Sequence, residues 1–70
     1  MYLDDTITIG TVPPNLQEIM NEVDGYYKAG DDISYAIRSD DLEAITKQEC
    51  LEGGISEYQL NRIFKKYGWR

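Results

Sequence analysis

The sequence contains no histidine and only one cysteine among its 70 residues. A single thiol, Cys50, cannot form an intramolecular disulfide, and a zinc site without histidine would need an unusual set of carboxylates alone. No apolar run approaches the roughly 20 residues that span a bilayer. Asp4 and Asp5 stand where a secretory signal would carry lysine or arginine. These absences predict an unprocessed cytoplasmic protein with no metal, no cofactor and no membrane contact.

The patterns that carry catalysis are also missing. No nucleophile–base pair, phosphate-binding glycine loop or ligand cluster is present. The chain contains three pairs of adjacent acids: Asp4-Asp5, Asp31-Asp32 and Asp40-Asp41. Adjacent side chains diverge on a helix or strand, so these pairs do not converge as acid–base catalysis requires. Cys50 has acids beside it and no neighbouring cation in the sequence that would activate its thiol. We therefore expect a protein that is not an enzyme.

Charge is unevenly distributed along the chain, whose net charge is −6. Residues 1–54 hold 12 acidic and 3 basic side chains, whereas residues 55–70 hold 1 acidic and 4 basic ones. A body of this kind repels nucleic acid and attracts basic protein grooves, although its last helix could contact a phosphate. The plain alternative is that the acids only keep a small protein in solution.

Residues 1–13 are predicted to form an extended amino-terminal arm, followed by a helical domain over residues 14–70. The arm contains Leu3, Ile7 and Ile9 together with the β-branched Thr6, Thr8 and Thr11, which favours extended backbone. Gly10 and the Pro13-Pro14 pair end the segment. Such an arm either lies across the helices or pairs with a strand of a second copy or of a partner protein.

The first helix is predicted over residues 14–29. It begins at Pro14 or Asn15, with Glu18 in position to complete a capping box. Gly30 suits a left-handed carboxyl-terminal cap. Gly25 lies within the helix, which indicates fraying or close packing there. The predicted core stripe consists of Leu16, Ile19, Met20, Val23 and Tyr27.

The second helix is less regular in its pattern. Asp31 or Asp32 can cap its start. Five apolar residues can share one broad face: Ile33, Ile37, Ala44, Ile45 and Leu51. The polar run Ser39 to Asp41 interrupts that face. Asp40 and Glu43 have the spacing of a capping box, which would begin a new helix there. The pattern therefore allows either one helix over residues 32–52 or a break near Ser39.

The third helix has clear start and stop signals. Gly53-Gly54 predicts a tight turn, Ser56 caps the helix and Gln59 reaches back to it. Gly68 ends it. Its buried stripe is predicted to be Leu60, Ile63, Phe64 and Tyr67. The expected fold is thus all-α: a small three-helix domain with a carboxyl-terminal helical hairpin and an extended amino-terminal arm.

Four short strings follow one another along the chain: YYKAGD at 26–31, LEA at 42–44, GISE at 54–57 and IFKKYG at 63–68. Together they resemble strings in short uncharacterised proteins from phages and mobile elements of Firmicutes. In the proteins that this chain resembles, aromatic residues commonly follow the glycine–aspartate pair, whereas this chain has Asp32-Ile33. The resemblance implies a mobile-element setting and carries no activity or catalytic residue with it. The segment before the last helix is also similar to short carboxyl-terminal oligomerisation motifs.

The predicted hairpin contains a turn and helix start with a distinct set of residues: Gly54, Ile55, Ser56, Leu60, Arg62 and Ile63. These residues resemble the turn and recognition helix of helix-turn-helix DNA-binding proteins. In such a module the helix from Ser56 to Tyr67 would present Tyr58, Asn61, Arg62, Lys65 and Lys66 to the groove of DNA. Two features oppose a DNA-binding function. Glu49 occupies a position at which the motif has an apolar side chain, and the acidic body would repel the duplex.

The function predicted from the sequence is a small acidic protein-binding module encoded by a mobile element, such as an inhibitor of a nucleic-acid-binding protein. A helix-turn-helix regulator is the alternative, and plain self-association is a third possibility. The candidate contact residues are the acids Asp31, Asp32, Asp40, Asp41 and Glu43 and the aromatics Tyr26, Tyr35 and Trp69. The partner protein is not identified by the sequence.

Overall fold

Three α-helices joined by short turns form the computed structural model, which describes Asp4 and residues 6–69. The helices are α1 (Pro14–Ala29), α2 (Asp32–Leu51) and α3 (Glu57–Tyr67). The described residues contain no strand, and the predicted all-α, three-helix fold is confirmed. The predicted arm and domain also include residues 1–3, Asp5 and Arg70, which lie outside the described part of the chain.

Helix α1 begins at Pro14, as predicted, but its cap differs from the prediction. Pro13 occupies the cap position without a side-chain hydrogen bond, so the predicted capping box of Asn15 and Glu18 is wrong. Proline in the first turn suits a helix start, because the missing N–H would have had no partner there. The Asn15 amide instead donates to the Glu49 carboxylate at 2.9 Å, which connects α1 to the far end of α2.

At its other end α1 stops as predicted. Gly30 adopts φ +74°, the left-handed conformation that glycine accepts most easily, and its N–H donates to the Tyr27 carbonyl at 3.2 Å. Gly25, inside the helix, has open space around it, since a Cβ there would meet nothing within 4 Å. Close packing, one of the two reasons considered for this glycine, is therefore excluded.

Helix α2 is continuous, and the predicted alternative of a break near Ser39 is wrong. Asp31 caps its start by accepting from the Ser34 N–H at 3.1 Å. The face of α2 that enters the core consists of Tyr35, Ser39, Leu42 and Thr46. Most of the broad apolar face predicted from the sequence is turned to the outside, and of its members only Ile45 packs against the core.

Two small polar residues explain how α2 can bury the face that has fewer apolar residues. Ser39 and Thr46 are fully enclosed, and each hydroxyl has a hydrogen-bond partner. The Thr46 hydroxyl donates to the Leu42 carbonyl at 2.7 Å, and the Trp69 indole N–H donates to the Ser39 hydroxyl at 3.1 Å. Their small volume leaves room for aromatic rings, where Tyr67 stacks on Trp69 with centroids 5.3 Å apart.

Helix α3 starts with the predicted capping box. The Gln59 N–H donates to the Ser56 hydroxyl and the Ser56 N–H donates to the Gln59 side-chain oxygen, both at 3.1 Å. Gly68 ends the helix in a left-handed conformation. The predicted hairpin of α2 and α3 is thus present, and the buried residues Ile63, Phe64 and Tyr67 face inward as expected.

The described part of the arm lies along α3 and runs antiparallel to it. The Arg62 guanidinium donates to the Thr8 carbonyl at 2.6 Å, and the Gln59 amide donates to the Thr11 carbonyl at 2.8 Å and the Ile9 carbonyl at 3.3 Å. Val12 is buried in the core. Of the two alternatives for the arm, the described residues follow the one in which it lies across the helices.

Candidate protein-docking face

Three of the large apolar side chains that are exposed lie on the side of α2 that points away from the core. Six residues share this side at spacings of three and four, and we call them the outer face of α2: Ile33, Ile37, Asp40, Ala44, Lys47 and Leu51. Ile33, Ile37 and Leu51 are 76%, 60% and 84% exposed. A helix with apolar residues on both sides is usually covered on both sides. The outer face therefore has the character of a contact surface.

A groove adjoins the carboxyl-terminal end of this face. It lies between the end of α2 and the start of α3 and has a volume of about 550 Å³. Cys50, Leu51 and Leu60 supply its apolar lining, and Lys47 and Glu57 supply opposite charges. The Lys47 ammonium pairs with Glu43 at 3.0 Å and lies 5.8 Å from the centre of the Phe64 ring. The groove can thus accept an apolar side chain flanked by charged ones.

Most of the predicted acidic contact residues are engaged within the chain. Asp31 caps α2. Asp41 pairs with Arg38 at 2.8 Å, and Arg38 also pairs with Glu22 of α1 at 2.9 Å. The hydrogen bond to Glu22, supported by Asp41, raises the pKa of Arg38. Glu43 pairs with Lys47, whereas Asp32 and Asp40 are exposed and enter no ion pair among the described residues.

The predicted aromatic contact residues pack within the chain to different extents. Tyr35 is only 5% exposed and belongs to the core, so it is not available at the surface. Trp69 is half-buried against Phe64 and Tyr67. Tyr26 is also half-buried and donates to Glu22 at 3.4 Å. Burial is the main cause of a raised pKa at Tyr35, with Asp24 and Tyr27 adding to it.

The five residues proposed to contact DNA do not form one open surface. Tyr58, Asn61 and Lys65 are exposed. Arg62, in contrast, is held by the arm and by the Tyr58 hydroxyl, to which it donates at 3.1 Å. The Lys66 side chain is 14% exposed and lies 3.7 Å from the Asp24 carboxylate. Two of the four basic residues in this part of the chain are thus already engaged with the protein itself.

Sequence reasoning grouped Ile33, Ile37, Ala44 and Leu51 on one face, as in the structure. It also placed Ile45 there, although Ile45 packs against the core, and it did not treat the face as a candidate site. The available signal was a double pattern, because both the inner and the outer residues recur at spacings of three and four. A helix carrying two such stripes needs covering on two sides. Ile33, Ile37 and Leu51 are the residues that this signal would have identified.

Other kinds of site find no support in the geometry. Among Asp4 and residues 6–69, no group of three or more carboxylates or thiols is arranged to hold a metal ion. None of the helices in this part of the chain has the length and apolar character needed to span a membrane. Searches against protein-family models, curated proteins and solved structures find no match to this chain. The resemblance to mobile-element proteins stays a prediction.

Proposed function

We propose that the chain is a small protein-binding module that contacts another protein chain through the outer face of α2. The observation that carries this proposal is the exposure of Ile33, Ile37 and Leu51 on one side of a well-formed helix. Isolated apolar residues on a surface are ordinary, but three large ones aligned on a helix are typical of an interface. Folding alone does not account for them, because the opposite side of α2 supplies the core contacts.

The net charge of −6 bears on the choice of partner. An acidic module is attracted to basic protein surfaces, such as the nucleic-acid-binding groove of another protein. A mobile-element protein that occupies such a groove would act as an inhibitor, as expected from the sequence. Asp32 and Asp40, which flank and interrupt the apolar residues, are the acids best placed for this contact. The helix-turn-helix alternative receives less support, since Arg62 and Lys66 are engaged with the arm and with Asp24.

Photo-crosslinking in the cells that encode the chain tests the docking face. Benzoylphenylalanine in place of Ile37 should give products that contain a second protein chain, because that side chain lies at the centre of the exposed face. The matched control is the same group in place of Tyr58, an exposed aromatic residue on α3. Products at position 37 and none at position 58 are expected. Absence of any product at position 37 would contradict the proposed function.

A further inference from the structure

We infer that a basic amphipathic α-helix of another protein packs along the outer face of α2, with one of its apolar side chains in the groove beside Leu51. This inference rests on the proposed function, because it names the kind of partner that the same docking face binds. Two observations carry it: the line of apolar residues that ends at the groove, and the unbalanced acids along this line.

The apolar residues of the outer face form a line that is long enough for a helix of about five turns. From Ile33 to Leu51 this line extends for about 27 Å at 1.5 Å per residue. The groove lined by Cys50 and Leu60 continues it at the carboxyl-terminal end. A helix carries its own apolar side chains at spacings of three and four, so one stripe of such residues can cover the whole line and reach the groove. Shape alone therefore favours a helix and leaves its charge open.

Acidic side chains lie on the outer face and along both of its borders. Asp40 lies on the face itself. At about 100° per residue, Asp32 and Glu43 follow one border of the face, and Asp41 and Glu52 follow the other. A partner helix on the face would thus pass between two rows of carboxylates.

The basic side chains near the face do not balance these acids. Lys47 pairs with Glu43 at 3.0 Å, and Arg38 is shared between Asp41 and Glu22. An occupant that carries lysine or arginine beside its apolar stripe would meet opposite charges that have no basic partner within the chain. Among the described residues, the acids of this kind beside the face and its groove are Asp32, Asp40, Glu52 and Glu57.

The same charges disfavour other occupants of an apolar helical face. A second copy in the same position would bring Asp40, Asp41 and Glu43 against their counterparts, and two chains of charge −6 repel each other. An anionic membrane surface would repel the same acids. A helix with basic borders is thus the occupant that matches both the apolar line and its acids.

Titration of the purified full chain with a labelled synthetic peptide tests this partner. The peptide has about five helical turns, with leucine at the heptad positions a and d and lysine beside them. Fluorescence anisotropy should show saturable binding that weakens as sodium chloride rises, because salt screens the pairs between lysine and acid. A control peptide with the same composition but with its leucines scattered around the helix should bind at least about tenfold more weakly. A second control, with glutamine in place of each lysine, should bind more weakly and with little dependence on salt.

Variants of the chain locate the peptide on the outer face. Ile37→Ser should raise the dissociation constant of the lysine peptide at least about tenfold, since it removes an apolar side chain from the contact. Asp40→Asn should raise it about two- to fivefold, because one charge pair is lost. The matched controls are Tyr58→Ser and Glu18→Gln, which make similar changes at exposed residues away from the face and should leave the affinity nearly unchanged. Circular dichroism verifies that every variant keeps its helices.

An exchange of charge tests the pairing itself. Asp40→Lys should tighten the binding of a peptide with glutamate in place of each lysine, and by a larger factor than Glu18→Lys does. Equal binding of the lysine peptide and its scattered control, or equal effects of Asp40→Asn and Glu18→Gln, would overturn the inference. Sedimentation of the chain alone as a dimer that Ile37→Ser dissociates would also overturn it, since a second copy would then cover the face.

The crosslink at position 37 separates this inference from the proposed function. Mass spectrometry of the product identifies the segment of the second protein that contacts this position. A helix-forming segment with lysine or arginine beside an apolar stripe is expected. A segment without these features would overturn the inference and leave the proposed function standing, whereas the absence of any product contradicts the proposed function.

Discussion

At the scale of single residues, the phenol of Tyr35 is the least satisfied group in the core. Its hydroxyl is buried and has no hydrogen-bond partner among the described residues. Asp24, the nearest acid to influence it, already accepts from the Tyr67 hydroxyl at 2.8 Å. A buried hydroxyl without a partner opposes folding, because it gives up its hydrogen bonds to water and gains none. The packing of its ring, which contacts Tyr27, offsets this cost.

We therefore predict two effects of Tyr35→Phe. At neutral pH the free energy of unfolding should stay equal or rise by up to about 1 kcal/mol, since the change removes an unpartnered polar group. At high pH the effect should grow. Burial raises the pKa of Tyr35 above 10.0, so the unfolded chain loses this proton first and the folded state loses stability as pH rises through the raised value.

Urea unfolding on both sides of pH 10 measures this difference. The original chain should lose more stability than the Tyr35→Phe variant as the pH increases. Tyr58→Phe is the matched control, because Tyr58 is exposed, and its alkaline loss should equal that of the original chain. Equal losses in all three proteins would contradict the assignment of this pH dependence to Tyr35.

Residues that act locally could be read from the sequence. Ser56, Asp31 and Gly30 cap helices through groups only a few positions away, and a capping pattern contains all the information that such a contact needs. Contacts between distant positions could not be read in this way. The Trp69 bond to Ser39 depends on how α3 packs on α2, which no local pattern specifies. The packing of Trp69 was consequently not predicted, and its role as a partner contact stays a prediction.

At the scale of whole elements, α2 shows a case in which hydrophobic periodicity does not predict which face of a helix is buried. Its two faces repeat at the same spacing, and the outer one contains more apolar residues than the inner one. The structure buries the inner face because Ser39 and Thr46 are small and their hydroxyls have partners, which leaves space for large aromatic rings. Volume and hydrogen bonding, rather than the number of apolar residues, decide which face enters this core.

The Gln59 side chain both caps the start of α3 and holds the arm against α3. The oxygen of the Gln59 amide accepts from Ser56 in the capping box, and its nitrogen donates to the carbonyls of Ile9 and Thr11. Gln59→Ala removes both contacts and should lower the free energy of unfolding by about 1–2 kcal/mol. Gln59→Glu keeps the acceptor for Ser56 and loses only the donor to the arm.

Two local measurements separate these tasks. Proteolysis within residues 6–12 should be faster in both variants, because both release the arm from α3. Exchange of the Ser56 amide hydrogen should be faster in Gln59→Ala alone. Substituting Asn61, exposed on the same helix, with alanine provides a control that should alter neither. An arm as resistant to proteolysis in Gln59→Glu as in the original chain would contradict this division.

At the scale of the whole molecule, the sequence indicates a negative body followed by a positive helix, and the fold brings the two together. The arm accepts hydrogen bonds from Arg62 and Gln59 along one side of α3, and Asp24 of α1 attracts Lys66 on another. Lys65 is left exposed, beside the polar residue Asn61. Much of the positive charge that a sequence reading assigns to DNA thus stabilises the fold itself.

This arrangement predicts weak binding to duplex DNA. Affinity for DNA at low salt depends largely on the number of phosphates that basic side chains neutralise. With Arg62 and Lys66 engaged and the net charge at −6, we expect no saturable binding of a labelled duplex at physiological salt in fluorescence anisotropy. Tight, salt-sensitive binding that Arg62→Ala and Lys65→Ala both abolish would contradict this expectation. Such binding would have to use the remaining Nη2 group of Arg62 or would require the arm to leave α3, since Nε of Arg62 donates to the Thr8 carbonyl and Nη1 donates to the Tyr58 hydroxyl.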